Sequence, residues 1–126
     1  MEAFQEHAVG VSTLLEEEGV EPRPAYSMEL AFEELITNVI KYAYEDPDGH
    51  VIRYALRVDP DEVALEVEDD GDPFDPTTAE LPEIPGGLEE AKVGGLGLHI
   101  LRRTSKSFRY ERRNGRNHIS ISFARS

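Results

Sequence analysis

Val63-Ala-Leu-Glu-Val-Glu-Asp-Asp-Gly-Asp-Pro-Phe74 runs from an apolar strand straight into an acidic, glycine-containing turn. Upstream, Val51-Ile-Arg-Tyr-Ala-Leu-Arg-Val58 reads as a second strand, and Asp59-Pro-Asp-Glu62 between the two reads as a hairpin turn. Downstream, Ser107–Arg113 and His118–Phe123 form another strand pair around Asn114-Gly115, a strong two-residue turn signal. The helices lie outside these hairpins. Phe4, Ala8, Val11, Leu14 and Leu15 recur at helical spacing, which predicts a helix over about 3–18, with Gly19 as its stop. Glu21-Pro-Arg-Pro24 reads as a rigid connector. A second helix is expected over about 24–44, with Ser27 near its start and Met28, Leu30, Ala31, Leu35, Val39 and Tyr42 apolar. Glu45-Asp-Pro-Asp-Gly49 is a turn. A third, short helix runs from Leu98 to about Thr104. The order α-α-β-β-loop-α-β-β does not alternate strand and helix, so it is not a Rossmann fold. It specifies an α+β two-layer sandwich, a mixed, mainly antiparallel sheet with three helices on one face.

The 126 residues suit one domain with a real core. No cysteine is present, which excludes a disulfide framework, a thiolate metal site and a cysteine nucleophile, and fits a reducing cytoplasm. No apolar run approaches a membrane span, and the N-terminus lacks the basic and apolar regions of a secretory signal. The net charge of −13 is divided unevenly. Residues 1–90 carry 25 acidic against 4 basic side chains, residues 91–126 carry 1 against 9. So acidic a chain is a poor binder of nucleic acid. The basic C-terminal third either attracts an anion or acidic partner, or pairs with acidic strands within the domain.

Three segments carry chemistry. In Glu34-Leu-Ile-Thr-Asn38-Val-Ile-Lys41 a carboxylate and a carboxamide share a helix face. The Asn38 carbonyl suits one position on a Mg²⁺ held mainly by phosphates and water. Glu34, one turn away, suits a general base, and Lys41 extends the same face toward a phosphate. Such a trio is also common on solvated helices. In Glu68-Asp69-Asp70-Gly71-Asp72-Pro73-Phe74, a carboxylate at a strand end can accept from an exocyclic amine such as adenine N6, while Gly71 lets the backbone approach a flat ring. An acidic turn alone would read the same. In Gly94-Gly95-Leu96-Gly97-Leu98-His99, glycines precede a helix whose N-terminus offers N–H donors to an anion. Between the second and third segments lies a stretch of Pro, Gly, Asp and Glu too long for an idle loop in a compact domain, which reads as a nucleotide lid over about 72–94. His7, His50, His99 and His118 are scattered, without metal-ligand spacing or a Ser/His/Asp set. Gly-x4-Gly-Lys-[Ser/Thr] is absent, which excludes a P-loop.

The ordered trio resembles the N-box, G1 box and G2 box of the GHKL ATPase superfamily, the Bergerat fold. Asp-Asp-Gly-Asp-Pro-Phe-Asp-Pro76, Gly-Gly-Leu-Gly-Leu-His-Ile100 and Tyr110-Glu-Arg-Arg-Asn-Gly-Arg-Asn117 are similar to the stand-alone anti-sigma-factor serine/threonine kinases of that group. The resemblance covers roughly residues 4–123. It implies Glu34 as catalytic base, Asn38 as Mg²⁺ ligand, Asp69 with Gly71 as the adenine pair, and Gly94, Gly95, Leu96, Gly97 and Leu98 as the phosphate-binding turn. Ser120 would be the hydroxyl residue supporting the adenine-binding Asp. It further implies ATP and Mg²⁺ as cofactors and phosphorylation of a serine on a STAS-domain anti-sigma antagonist. The target released by this partner switching would be a sigma factor or another regulated protein, and a homodimer is the family expectation. The alternative is a nucleotide-gated binding module with weak or no kinase activity. A third reading, ATP hydrolysis by a fragment of a sensor enzyme, lacks the helical stalk such an enzyme would show. The sequence departs from the family at Pro73, where a second glycine is usual, and at Lys92-Val93, where some relatives place an arginine. Thr104-Ser-Lys-Ser107 lacks an expected acidic turn. The usual β-strand before the first helix is also missing, which predicts a missing sheet edge.

Overall fold

The computed structural model describes residues 2–40, 51–78 and 96–125. Lys41, Gly94 and Gly95 lie outside them, as do the turn at 45–49 and most of the expected lid. The described elements are α1 (Glu2–Glu17), α2 (Pro22–Asn38), β1 (Ile52–Val58), β2 (Glu62–Asp69), α3 (Leu96–Thr104), β3 (Ser107–Arg113) and β4 (Arg116–Ala124).

The strands form one sheet in the order β1-β2-β4-β3, antiparallel in every described pairing. Strand parity sorts the side chains. Val63, Leu65 and Val67 of β2 and Ile119, Ile121 and Phe123 of β4 are buried beneath the helices. They meet Val11 and Leu15 of α1, Met28, Ala31, Phe32, Leu35 and Ile36 of α2, and Leu98 and Leu101 of α3 in one core. α2 packs on β2 and β4, with α1 and α3 against it. The opposite sheet face carries the charges. There Lys106 reaches Glu62 at 2.9 Å and Arg116 lies 3.5 Å from Glu68. Part of the basic charge of the C-terminal third is thus met inside the domain.

Local chemistry sets the ends of the elements. Gly19 takes a positive φ of 68°. Its N–H reaches Glu16 O and that of Val20 reaches Leu15 O, both at 3.0 Å. This double bond after a left-handed residue closes α1 and folds Val20 back beneath it. α2 begins at Pro22, two residues before the expected start. Proline is at home in a first helical turn, where its absent N–H would have no partner anyway, so the expected rigid connector is helix. β2 runs two residues past Val67, so Asp69 is its last residue. The Asn114-Gly115 turn has φ of 54° and 73°, the pairing that matches strand twist in a two-residue hairpin.

Candidate nucleotide site

The first cluster joins α2 to α3. Glu34 and Asn38 lie on one face of α2, half-buried. The Asn38 Nδ2 donates to the Glu34 carbonyl at 2.5 Å, which leaves Oδ1 as the group that side chain can offer a cation. Burial, then the charge of neighbouring Glu33, push the Glu34 carboxyl above its ordinary range, while its bond with Asn38 opposes them. A carboxyl raised toward neutrality is a better proton acceptor than an ordinary surface Glu.

Gly97 meets this cluster from the other side. It was expected just ahead of the third helix, but α3 starts at Leu96 and Gly97 sits in its first turn, buried. A Cβ there would lie less than 3.0 Å from the Glu34 Cδ, Oε1 and Cγ. The glycine provides room for the Glu34 carboxyl. Leu96 opens the helix. Leu98 is 2% exposed and its side chain belongs to the core, so what it offers a phosphate is its backbone. The first N–H groups of α3 have no partner within the helix, the chemistry that suits a helix N-terminus to an anion.

The second cluster joins β2 to the C-terminal hairpin. Asp69 is 1% exposed. Its Oδ2 accepts the Gly71 N–H at 2.8 Å and the Asn117 Nδ2 at 3.1 Å. Its Oδ1 is buried and has no hydrogen-bond partner among the described residues. A buried carboxylate oxygen without a donor is costly, and a bound group carrying an N–H would relieve it. An exocyclic adenine amine has the required chemistry. Asn117 also donates to Asp72 O at 2.9 Å and accepts the Tyr110 hydroxyl at 2.5 Å. The Arg112 Nη1 donates to Gly71 O at 2.6 Å. Gly71 is therefore held at both its N–H and its carbonyl.

Ser120 stands elsewhere. It lies on β4 as expected, but opposite Glu66 and Arg109 on the outer face of the sheet. Asn117 and Ser120 are three residues apart, and an odd separation on a strand reverses the side chain. The residue that supports Asp69 is Asn117. Two signals pointed to it. The Asn-Gly turn fixes the β3–β4 register, and Asn117 shares parity with Ile119, Ile121 and Phe123. Ser120 instead lines a cavity of about 680 Å³ on the outer face, with Arg53, Glu66 and Arg109. That cavity includes none of Glu34, Asn38, Asp69 and Gly97, and its lining of mixed charges makes no purine pocket.

The start of the expected lid is anchored. Asp75 accepts the Thr77 N–H at 2.8 Å and hydroxyl at 2.6 Å, and the Thr78 hydroxyl at 3.0 Å. Burial raises its carboxyl, but these donors together outweigh that and hold it below its ordinary range. The Arg102 Nε and Nη2 both donate to Pro76 O, at 2.9 and 2.6 Å, tying the segment after β2 to α3.

The model of the histidine kinase-like ATPase domain matches residues 2–123. The chain is also similar to the serine/threonine-protein kinase BtrW of Bordetella bronchiseptica, 31% identical over 99 residues, which covers 79% of this chain and 70% of that protein.

Proposed function

The chain belongs to the histidine kinase-like ATPase family, and we propose that it is an ATP- and Mg²⁺-dependent protein serine kinase of the partner-switching type. The observation that carries the nucleotide half of this reading is Asp69 Oδ1, buried without a donor and backed by an oxygen that already has two. The kinase half rests on Glu34, held against Gly97 at the head of α3 with its carboxyl raised, and on the relative named as a serine/threonine kinase.

The residues divide the work. Asp69 and Gly71 hold the adenine edge. The N-terminal turn of α3 receives the phosphates. Asn38 Oδ1 fits a single neutral oxygen ligand to Mg²⁺, which when bound neutralises phosphate charge. Glu34 accepts the proton of an acceptor serine hydroxyl as its oxygen forms a bond to Pγ, the bond between Pγ and the β–γ bridging oxygen breaks, and ADP leaves. The nucleophile comes from another chain, a STAS-domain antagonist. The unphosphorylated antagonist would draw the kinase from a sigma factor or other regulated protein in the cytoplasm. Among the described residues no helix is long and apolar enough to cross a membrane.

Calorimetric titration with a non-hydrolysable ATP analogue, with and without Mg²⁺, tests the site. Micromolar, Mg²⁺-dependent binding is expected. No binding at millimolar nucleotide would overturn the proposal. Transfer of labelled phosphate to a STAS protein then separates a kinase from a module that only binds nucleotide.

A further inference from the structure

The bonds around Asp69 decide which purine edge it can meet, and Asn117 imposes them. Asn117 is 1% exposed. Its Oδ1 is taken by the Tyr110 hydroxyl at 2.5 Å, so its Nδ2 faces the turn, where it donates to Asp69 Oδ2 at 3.1 Å and Asp72 O at 2.9 Å. A hydroxyl in that place could donate or accept, whereas an amide whose oxygen is occupied only donates. Asp69 is thereby held with Oδ2 accepting two hydrogen bonds and with Oδ1, which has no partner among the described residues, open to a donor.

We infer that Asn117, oriented by Tyr110, is a specificity-determining residue that keeps Asp69 acceptor-only and so restricts the pocket to purines bearing a 6-amino group. The inference rests on Asp69 as the base-recognition residue. Asn117 acts through Asp69 and is a positioning residue. A 6-oxo purine presents an acceptor where the amine stood, and two acceptors facing each other in a buried site repel.

The test is the near-isosteric Asn117→Asp in the full chain. Two carboxylates in contact cannot both ionise and share a proton, so the pair gains a hydrogen to donate. The readout is the ratio of affinities for ATP and inosine triphosphate, which a loss of stability alone would not move. The unaltered chain is expected to prefer ATP by about a hundredfold. In Asn117→Asp the ratio should fall by at least about tenfold. If that variant does not fold by circular dichroism, Tyr110→Phe decides. It keeps the ring and removes the donor that orients the amide, and a fall of about threefold or more is expected. An unchanged ratio in a folded variant, including equal losses for both nucleotides, overturns the role of Asn117. Failure of the unaltered chain to prefer ATP overturns the assignment of Asp69 itself, and is seen before any variant is made.

Discussion

Gly97, in the first turn of α3, lies so close to Glu34 of α2 that a Cβ on the glycine would come within 3.0 Å of the carboxyl carbon and one carboxyl oxygen. The contact joins the proposed phosphate-binding helix to the proposed base. Gly97→Ala should therefore be read as a change at Glu34. Alanine favours a helix by about 1 kcal/mol over glycine, and Glu34 is flexible enough to move aside. The melting temperature should stay near that of the unaltered chain while phosphotransfer falls by about a hundredfold, the effect of a displaced base. Thermal denaturation and single-turnover phosphotransfer on one preparation check this.

Glu34→Gln should reduce phosphotransfer by about 10²–10⁴-fold while ATP-analogue affinity holds, because the base acts on the acceptor hydroxyl and not on ATP binding. Titration calorimetry beside a phosphotransfer assay separates the two effects. Loss of analogue binding would contradict this role.

The raised carboxyl of Glu34 has two consequences with pH, of definite sign. The base works ionised, so turnover should climb with pH through a midpoint above the ordinary glutamate range. A carboxyl raised on folding stabilises the fold most below its unfolded pKa, and that stabilisation is lost as pH rises through the folded value. Above that folded value the chain bears a half-buried charge that Glu34→Gln removes. The variant should melt higher than the parent at pH 7, and the difference should close toward pH 4. Melting curves at several pH values measure it.

Asp69→Asn preserves shape and can still accept from Gly71. It places an amide near the position from which Asp69 would accept an amine, so ATP affinity should drop at least about tenfold with little change in fold. Unchanged affinity would remove adenine recognition from this residue.

Arg102→Ala leaves the Pro76 carbonyl without either guanidinium donor. A cost of about 1–3 kcal/mol in chemical denaturation is expected, with Arg102→Lys recovering part of it.

The layers of the fold, and the places of Glu34, Asn38 and Asp69 within it, could be read from residue patterns because they rest on local signals. Period-two strands, the Asn-Gly turn and the glycine after α1 each act within a few residues. Glu34 and Asn38 need only a helix to meet, and Asp69 only a strand end. The start of α2 was harder to place, because Pro22 and Pro24 break a helix interior yet suit a first turn, and only the surrounding fold tells the two apart. Asn117 escaped notice for another reason. Its importance comes from the pairing of β4 with β2, 48 residues away along the chain, and from the parity that excludes Ser120. The fit of Gly97 to Glu34 likewise depends on how α2 and α3 pack, which neither segment encodes alone. The role of Arg102 depends on Pro76, 26 residues away along the chain, which no local signal marks.

The register set by the Asn114-Gly115 turn carries a consequence for biosynthesis. Asp69 is translated midway, yet its partner Asn117 arrives only with the final strand. A ribosome-bound chain that has emerged through β2 holds the Asp69 carboxylate with no amide behind it. Nucleotide capture would therefore be a late event, reporting that the last hairpin has closed in the correct pairing. A slip of one residue would bring His118 to Asp69 and leave a histidine where the amide belongs. Bound nucleotide would then favour molecules in which β4 has paired with β2 in register.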